Sequence, residues 1–183
     1  MIFGFLPAVV CIMQAGDNLM LKVVAAALAL YSYFLIQTSL PHLPARIPTH
    51  FNLAGKPDGL GSPHALWLVF GTQVLIAGLM LLIPFLGRRI PGAVHLGTRR
   101  LSDYTPEQRE LIMPLLEQMA GLMSVAVGLF FVYVIREMIR AAEQPGSKTH
   151  IGWAAGLFAG GMVGVSLCYM RRMSRVAKAE QPN

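Results

Sequence analysis

Hydrophobic positions in this chain gather into long unbroken runs, with prolines, glycines and charges confined to the gaps between them. Residues 22–40, 64–86 and 151–170 each approach the ~20 apolar residues that cross a hydrocarbon core of ~30 Å. A further run opens at Thr105-Pro106-Glu107-Gln108, which has a capping threonine, a proline at the first helical position and a glutamine three residues after the cap. Its helix is predicted to continue to about Ala142, roughly 55 Å at ~1.5 Å per residue. Its first two turns should therefore stand in the headgroup layer, with a kink at Pro114. The pattern predicts an all-α integral membrane protein of four transmembrane helices, with a structured loop between the first two.

The first residues fit this scheme poorly. The apolar stretch 1–13 is too short to span, contains Pro7, and stops at Gly16-Asp17-Asn18. It also lacks the basic n-region of a signal peptide. Met20 stands directly before the first good span, so residues 1–19 are read as an extension or a loosely held interfacial segment. Residues 20–183 then form a single four-helix transmembrane domain.

Composition agrees with a membrane reading. The chain is 55% hydrophobic and only 13% charged, outside the range of an ordinary soluble domain. Its net charge of +6 does not point to nucleic acid, because the basic residues sit at the ends of the apolar runs. With both termini in the cytoplasm, Lys22, Arg88, Arg89, Arg99, Arg100, Arg109, Arg171, Arg172, Arg175 and Lys178 fall inside. Only Arg46, Lys56, Arg136, Arg140 and Lys148 fall outside. That asymmetry predicts a multi-pass protein of the inner (cytoplasmic) membrane, with the loop at 41–63 facing outward. Cys11 and Cys168 lie in apolar segments and form no spaced motif.

The loop at 41–63 is the least ordinary part of the chain. Pro41, Pro44 and Pro48 remove backbone donors and push the preceding residues toward extended geometry, which excludes a regular helix over 40–49. Lys56-Pro57-Asp58-Gly59 is predicted to turn, with Asp58 bonding its own backbone and Gly59 taking a positive φ. Ser62 is expected to cap the second span, with Pro63 at its first position.

The segment Leu43-Pro44-Ala45-Arg46-Ile47-Pro48-Thr49-His50-Phe51-Asn52, followed by Gly55, Asp58 and Gly59, resembles the signature L-P-x-x-I-P-x-H-F-N-x-x-G-x-x-D-x-x-G-S-K. That signature marks a bacterial membrane family of unknown biochemical function, which includes the SdpI-like immunity proteins that protect cells from a killing peptide. The resemblance covers residues 22–70. It departs at Pro63, where the family has lysine, and the second conserved half of the immunity proteins is not evident in residues 87–183. The resemblance implies a recognition loop carried by Pro44, Ile47, Pro48, His50, Phe51, Asn52, Gly55, Asp58 and Gly59. A peptide or a membrane protein would be its partner.

Three further sets of residues carry candidate chemistry. His50, Asp58 and His64 share one constrained loop, and imidazole with carboxylate suits zinc or copper. The spacing matches no compact metal motif, so no cofactor is expected, and a small metal-dependent membrane enzyme stands as the alternative. His42 and His150 lie on the same predicted face, and polar interfacial residues account for the group equally. Gln73 and Glu117 interrupt apolar runs, as residues lining a transport path would; an amide facing a neighbouring helix and a carboxylate at the inner membrane boundary are the plainer readings. Gly152, Gly156, Gly160 and Gly164 recur every four residues on one face of the last helix, where another helix of this chain or of a second copy could approach closely. No nucleophile elbow, metalloprotease motif or phosphate loop is present.

Overall fold

The computed structural model describes residues 18–52, 54–147 and 149–179. Among them, four helices are long and apolar enough to cross a membrane. They are α1 (Asn18–Ser39), α2 (Ala65–Arg89), α3 (Pro106–Glu143) and α4 (Ile151–Ala179). Two small antiparallel hairpins join them. β1 (Ile47–Phe51) and β2 (Pro57–Gly61) lie between α1 and α2, while β3 (His95–Leu96) and β4 (Arg99–Arg100) lie between α2 and α3. Lipid is therefore the surrounding medium of most of the helical surface.

α3 is the central post, and each of the other three helices packs against it. Its start follows from the residues: Thr105 Oγ1 accepts from the Gln108 N–H at 3.3 Å, and Gln108 Oε1 accepts from the Thr105 N–H at 3.1 Å. This reciprocal cap satisfies donors that the first turn would leave orphaned. The helix then runs through Pro114 without a break.

Two glycines set the approach of α1 to α3. A Cβ on Gly121 would lie 2.9 Å from Leu21 Cβ, and one on Gly128 would lie 2.9 Å from Leu28 Cδ1. The two contacts advance together along both helices, so α1 and α3 run parallel at close range. α2 runs back the other way. At its middle, the Ser124 hydroxyl donates to the α3 carbonyl of Ala120 at 2.9 Å and also lies 3.2 Å from the α2 carbonyl of Ala77.

Apolar burial concentrates at the two ends of the bundle. At the hairpin end, Ile36, Ile47, Leu66, Ile135, Met138, Ile139 and Ala142 pack together. At the opposite end, Val94, Leu101, Ile112, Met113, Leu116, Tyr169, Met173 and Ala177 do so.

Several boundaries differ from the sequence expectation. α1 begins at Asn18, ahead of Lys22. Residues 1–17, most of the expected extension, lie outside the described residues. α4 continues to Ala179 rather than ending near Met170, because Met173 and Ala177 bury their side chains in the second cluster although arginines surround them. α2 starts at Ala65, with His64 at the cap position instead of Ser62. Ser62 Oγ accepts only the His64 N–H at 3.3 Å, and its carbonyl closes a turn onto Ala65 at 2.9 Å.

Candidate functional site at the hairpin between the first two helices

The prolines act as the sequence implies: Leu40–His42 forms a single tight helical turn, after which the chain becomes extended. It then pairs as a strand. Ile47 faces Gly61, Pro48 faces Leu60, His50 faces Gly59 and Phe51 faces Pro57, with irregular register around Thr49 and between His50 and Phe51.

The turn falls earlier than expected. Pro57–Gly61 is the second strand, and the reversal is made by Asn52–Lys56. Asn52 Oδ1 accepts the N–H groups of Ala54 at 3.0 Å and Lys56 at 3.1 Å, while its backbone carbonyl accepts from Gly55 at 2.9 Å. Gly55, at φ +72°, supplies the left-handed position, and Gly59 does not have a positive φ. An asparagine side chain that can bond backbone two and four residues on outcompetes the Pro-Asp-Gly signal here.

The hairpin is docked at two points. Ile47 is fully buried in the cluster on α3, which contributes about 2 kcal/mol. At the tip, the Gly55 carbonyl accepts from the Thr149 N–H at 3.0 Å and the Thr149 hydroxyl at 3.1 Å. The hairpin thus bonds to the connection between α3 and α4. Beneath it, the Tyr33, Trp67 and Phe70 rings pack between α1 and α2, with centroids 5.6 to 6.2 Å apart. Such a belt suits a membrane–water boundary.

Most motif residues are spent on shape. Ile47 and Pro48 are buried, Phe51 packs partly against the cluster, and Asn52 and Gly55 build the turn. A Cβ on Gly59 would fall 2.9 Å from His50 Cβ, so glycine there makes room for the histidine. Pro44 is exposed. His50 and Asp58 pair across this hairpin: the carboxylate of Asp58 takes the His50 Nδ1 bond, not a bond from its own backbone. With Nδ1–H donating to Asp58, the tautomer is set and Nε2 becomes an acceptor. The imidazole side chain remains 74% exposed.

His64 does not join this pair. Among the described residues, no three His, Cys, Asp or Glu side chains gather as a metal set. His42 and His150 are exposed at other points of the same end.

The remaining candidates lie elsewhere. Gln73 is fully buried among the helices, and neither of its amide atoms has a hydrogen-bond partner; Ser32, also fully buried, shares that condition. Glu117 stands at the opposite end. Its Oε1 accepts from Arg88 Nε at 2.8 Å, and its Oε2 accepts from Asn18 Nδ2 at 2.9 Å. That carboxylate ties the start of α1 and the end of α2 to α3. Gln73 and Glu117 are thus not brought together into one path.

At Gly156, Gly160 and Gly164 a Cβ would have nothing within 4 Å, so this face of α4 points away from the rest of the chain. α4 meets α3 through its other side, where Phe158 stacks on Phe130 at 4.5 Å between centroids. Sequence reasoning missed Thr149, Arg88 and Asn18 because each acts on a residue far away in the chain. It also missed the buried Glu137, which accepts from Arg140 one turn later in α3.

Fold and site together define a polytopic membrane protein that presents a small, anchored extramembrane hairpin. Residues 23–74 match the family model described as Domain of unknown function (DUF1648). That match spans α1 from its second turn onward, the whole hairpin and the first turns of α2. Comparison with curated proteins and with solved structures returned no match.

Proposed function

We propose that the β1–β2 hairpin is a preformed, non-catalytic recognition surface that presents His50 to a peptide or membrane-protein partner outside the cytoplasm. The carrying observation is a division of labour. Ile47, Asn52, Gly55 and Gly59 hold the hairpin's shape, while the His50–Asp58 pair is oriented yet left open to solvent. A pair serving only stability would gain little from that exposure. Leu60, 62% exposed on the adjoining strand, adds an apolar contact beside it. The basic asymmetry of the loops supports an inner-membrane location with both termini cytoplasmic and the hairpin outside. The resemblance to the SdpI-like signature supports a toxin-like peptide as the class of partner, with a signalling partner as the other form of the same reading.

A photo-reactive side chain at position 60 tests this in cells. The expected result is an adduct with a peptide or protein that disappears when His50→Ala is added, with the protein still present in the membrane. Adducts with lipid alone, or one indifferent to His50, would overturn it. A large fall in melting temperature for His50→Ala would instead assign the pair to folding.

A further inference from the structure

The end of the bundle opposite the hairpin holds a pocket of about 570 Å³ between the end of α2 and the start of α3. Arg88 and Arg109 line it together with Glu110, and Leu101, Met113 and Pro114 supply apolar wall. The two arginines are differently placed. Arg88 is already engaged by Glu117. The Nε of Arg109 is buried without an acceptor. A desolvated guanidinium N–H without an acceptor is costly, and the open pocket beside it has room for one.

Depth narrows the choice of acceptor. The Arg88–Glu117 pair marks the edge of the hydrocarbon region, and Arg109 precedes Glu117 by eight residues of α3, about 12 Å along the axis. The pocket therefore lies at headgroup depth, just beyond the acyl chains, with two arginines and the Glu110 carboxylate in its lining. Arg89, Arg99 and Arg100 belong to the same connection and make its surroundings basic.

We propose that this pocket binds the phosphate of an anionic phospholipid from the adjoining leaflet. The phosphate would sit on Arg109, and the glycerol would lie against Met113 and Pro114. Basic pockets between transmembrane helices take headgroups in this way, and a guanidinium fork suits phosphate oxygens. The site is independent of what the hairpin recognises.

Native mass spectrometry of the detergent-purified protein, titrated with phosphatidylglycerol or phosphatidylcholine, tests it. Both lipids carry the phosphodiester and phosphatidylcholine adds a cation, so wild type should prefer phosphatidylglycerol among these arginines. Arg109→Gln should weaken phosphatidylglycerol binding roughly tenfold, the size of one charge-assisted bond, and reduce that preference, while Arg46→Gln on the exposed hairpin approach should change neither. If Arg109→Gln fails to fold, Arg109→Lys carries the comparison: it retains charge, lacks the Nε donor, and should lose part of the preference. Equal binding of the two lipids by wild type would overturn the proposal. So would an equal loss in Arg46→Gln, or displacement of phosphatidylglycerol by an equal concentration of inorganic phosphate, which would mark a free-phosphate site.

Discussion

Single residues here divide sharply into those that tolerate change and those that do not. Gly55 combines a φ of +72° with a neighbour in the way: an added Cβ would collide with the Thr149 carbonyl oxygen. Gly55→Ala should therefore cost about 3 kcal/mol or more, combining backbone strain with a displaced dock. Thermal or denaturant unfolding in detergent would show it, and a wild-type melting temperature would contradict the docking. Gly156 is the useful contrast, being helical with nothing within 4 Å. Gly156→Ala should leave stability unchanged or raise it by up to about 1 kcal/mol. Glu117→Ala removes the acceptor for both Arg88 and Asn18. Because Arg88 is 58% exposed, solvent can partly replace that acceptor, and the loss should be about 1 kcal/mol.

At the scale of elements, the hairpin and α4 make opposite use of neighbouring structure. The hairpin is too small to be stable alone, since two strands in water are marginal. Its order comes from Ile47 in the α3 cluster and from Thr149 at its tip. Asn52→Ala, which deletes the side-chain acceptor of two backbone donors, should loosen the turn by about 1–2 kcal/mol. Faster amide exchange at Ala54 and Lys56, with the helices unaffected, would register the change. α4 keeps its glycine face outside the intramolecular contacts. Gly160→Leu should accordingly leave the melting temperature of the isolated monomer unchanged. A fall in that temperature would mean that the face packs within the chain after all.

For the whole molecule, α3 is the helix that every other one packs against, while α1 and α2 also touch each other through Tyr33, Trp67 and Phe70. Anchors at the two ends differ in kind. Hairpin docking and an aromatic belt mark one, and an ion pair with a basic connection marks the other. This polarity is what a fixed orientation in the membrane requires. Reporter fusions after Gly55 and after Gly92 should report opposite sides, with Gly92 in the cytoplasm. The same side for both would break the four-helix topology.

The number and approximate placement of the helices were legible in the sequence because a bilayer imposes a length on any apolar segment that crosses it, and terminal signals such as Thr105-Pro106-Glu107-Gln108 act locally. The irregular, extended character of the segment around Pro41, Pro44 and Pro48 was legible for the same reason: proline acts on its own backbone and its neighbour's. Tertiary structure decided everything that depends on a distant partner. It reinforced the Asn52-bonded turn at Asn52–Lys56 over Pro57-Asp58-Gly59, since the observed register sends Ile47 into the α3 cluster and Gly55 onto Thr149. It paired Asp58 with His50 and left His64 apart. It also assigned close packing to Gly121 and Gly128, which show no periodic glycine run, and turned the regular Gly156, Gly160, Gly164 series away from the chain. A periodic stripe states which residues share a face; only the placement of the other helices states whether anything lies against it.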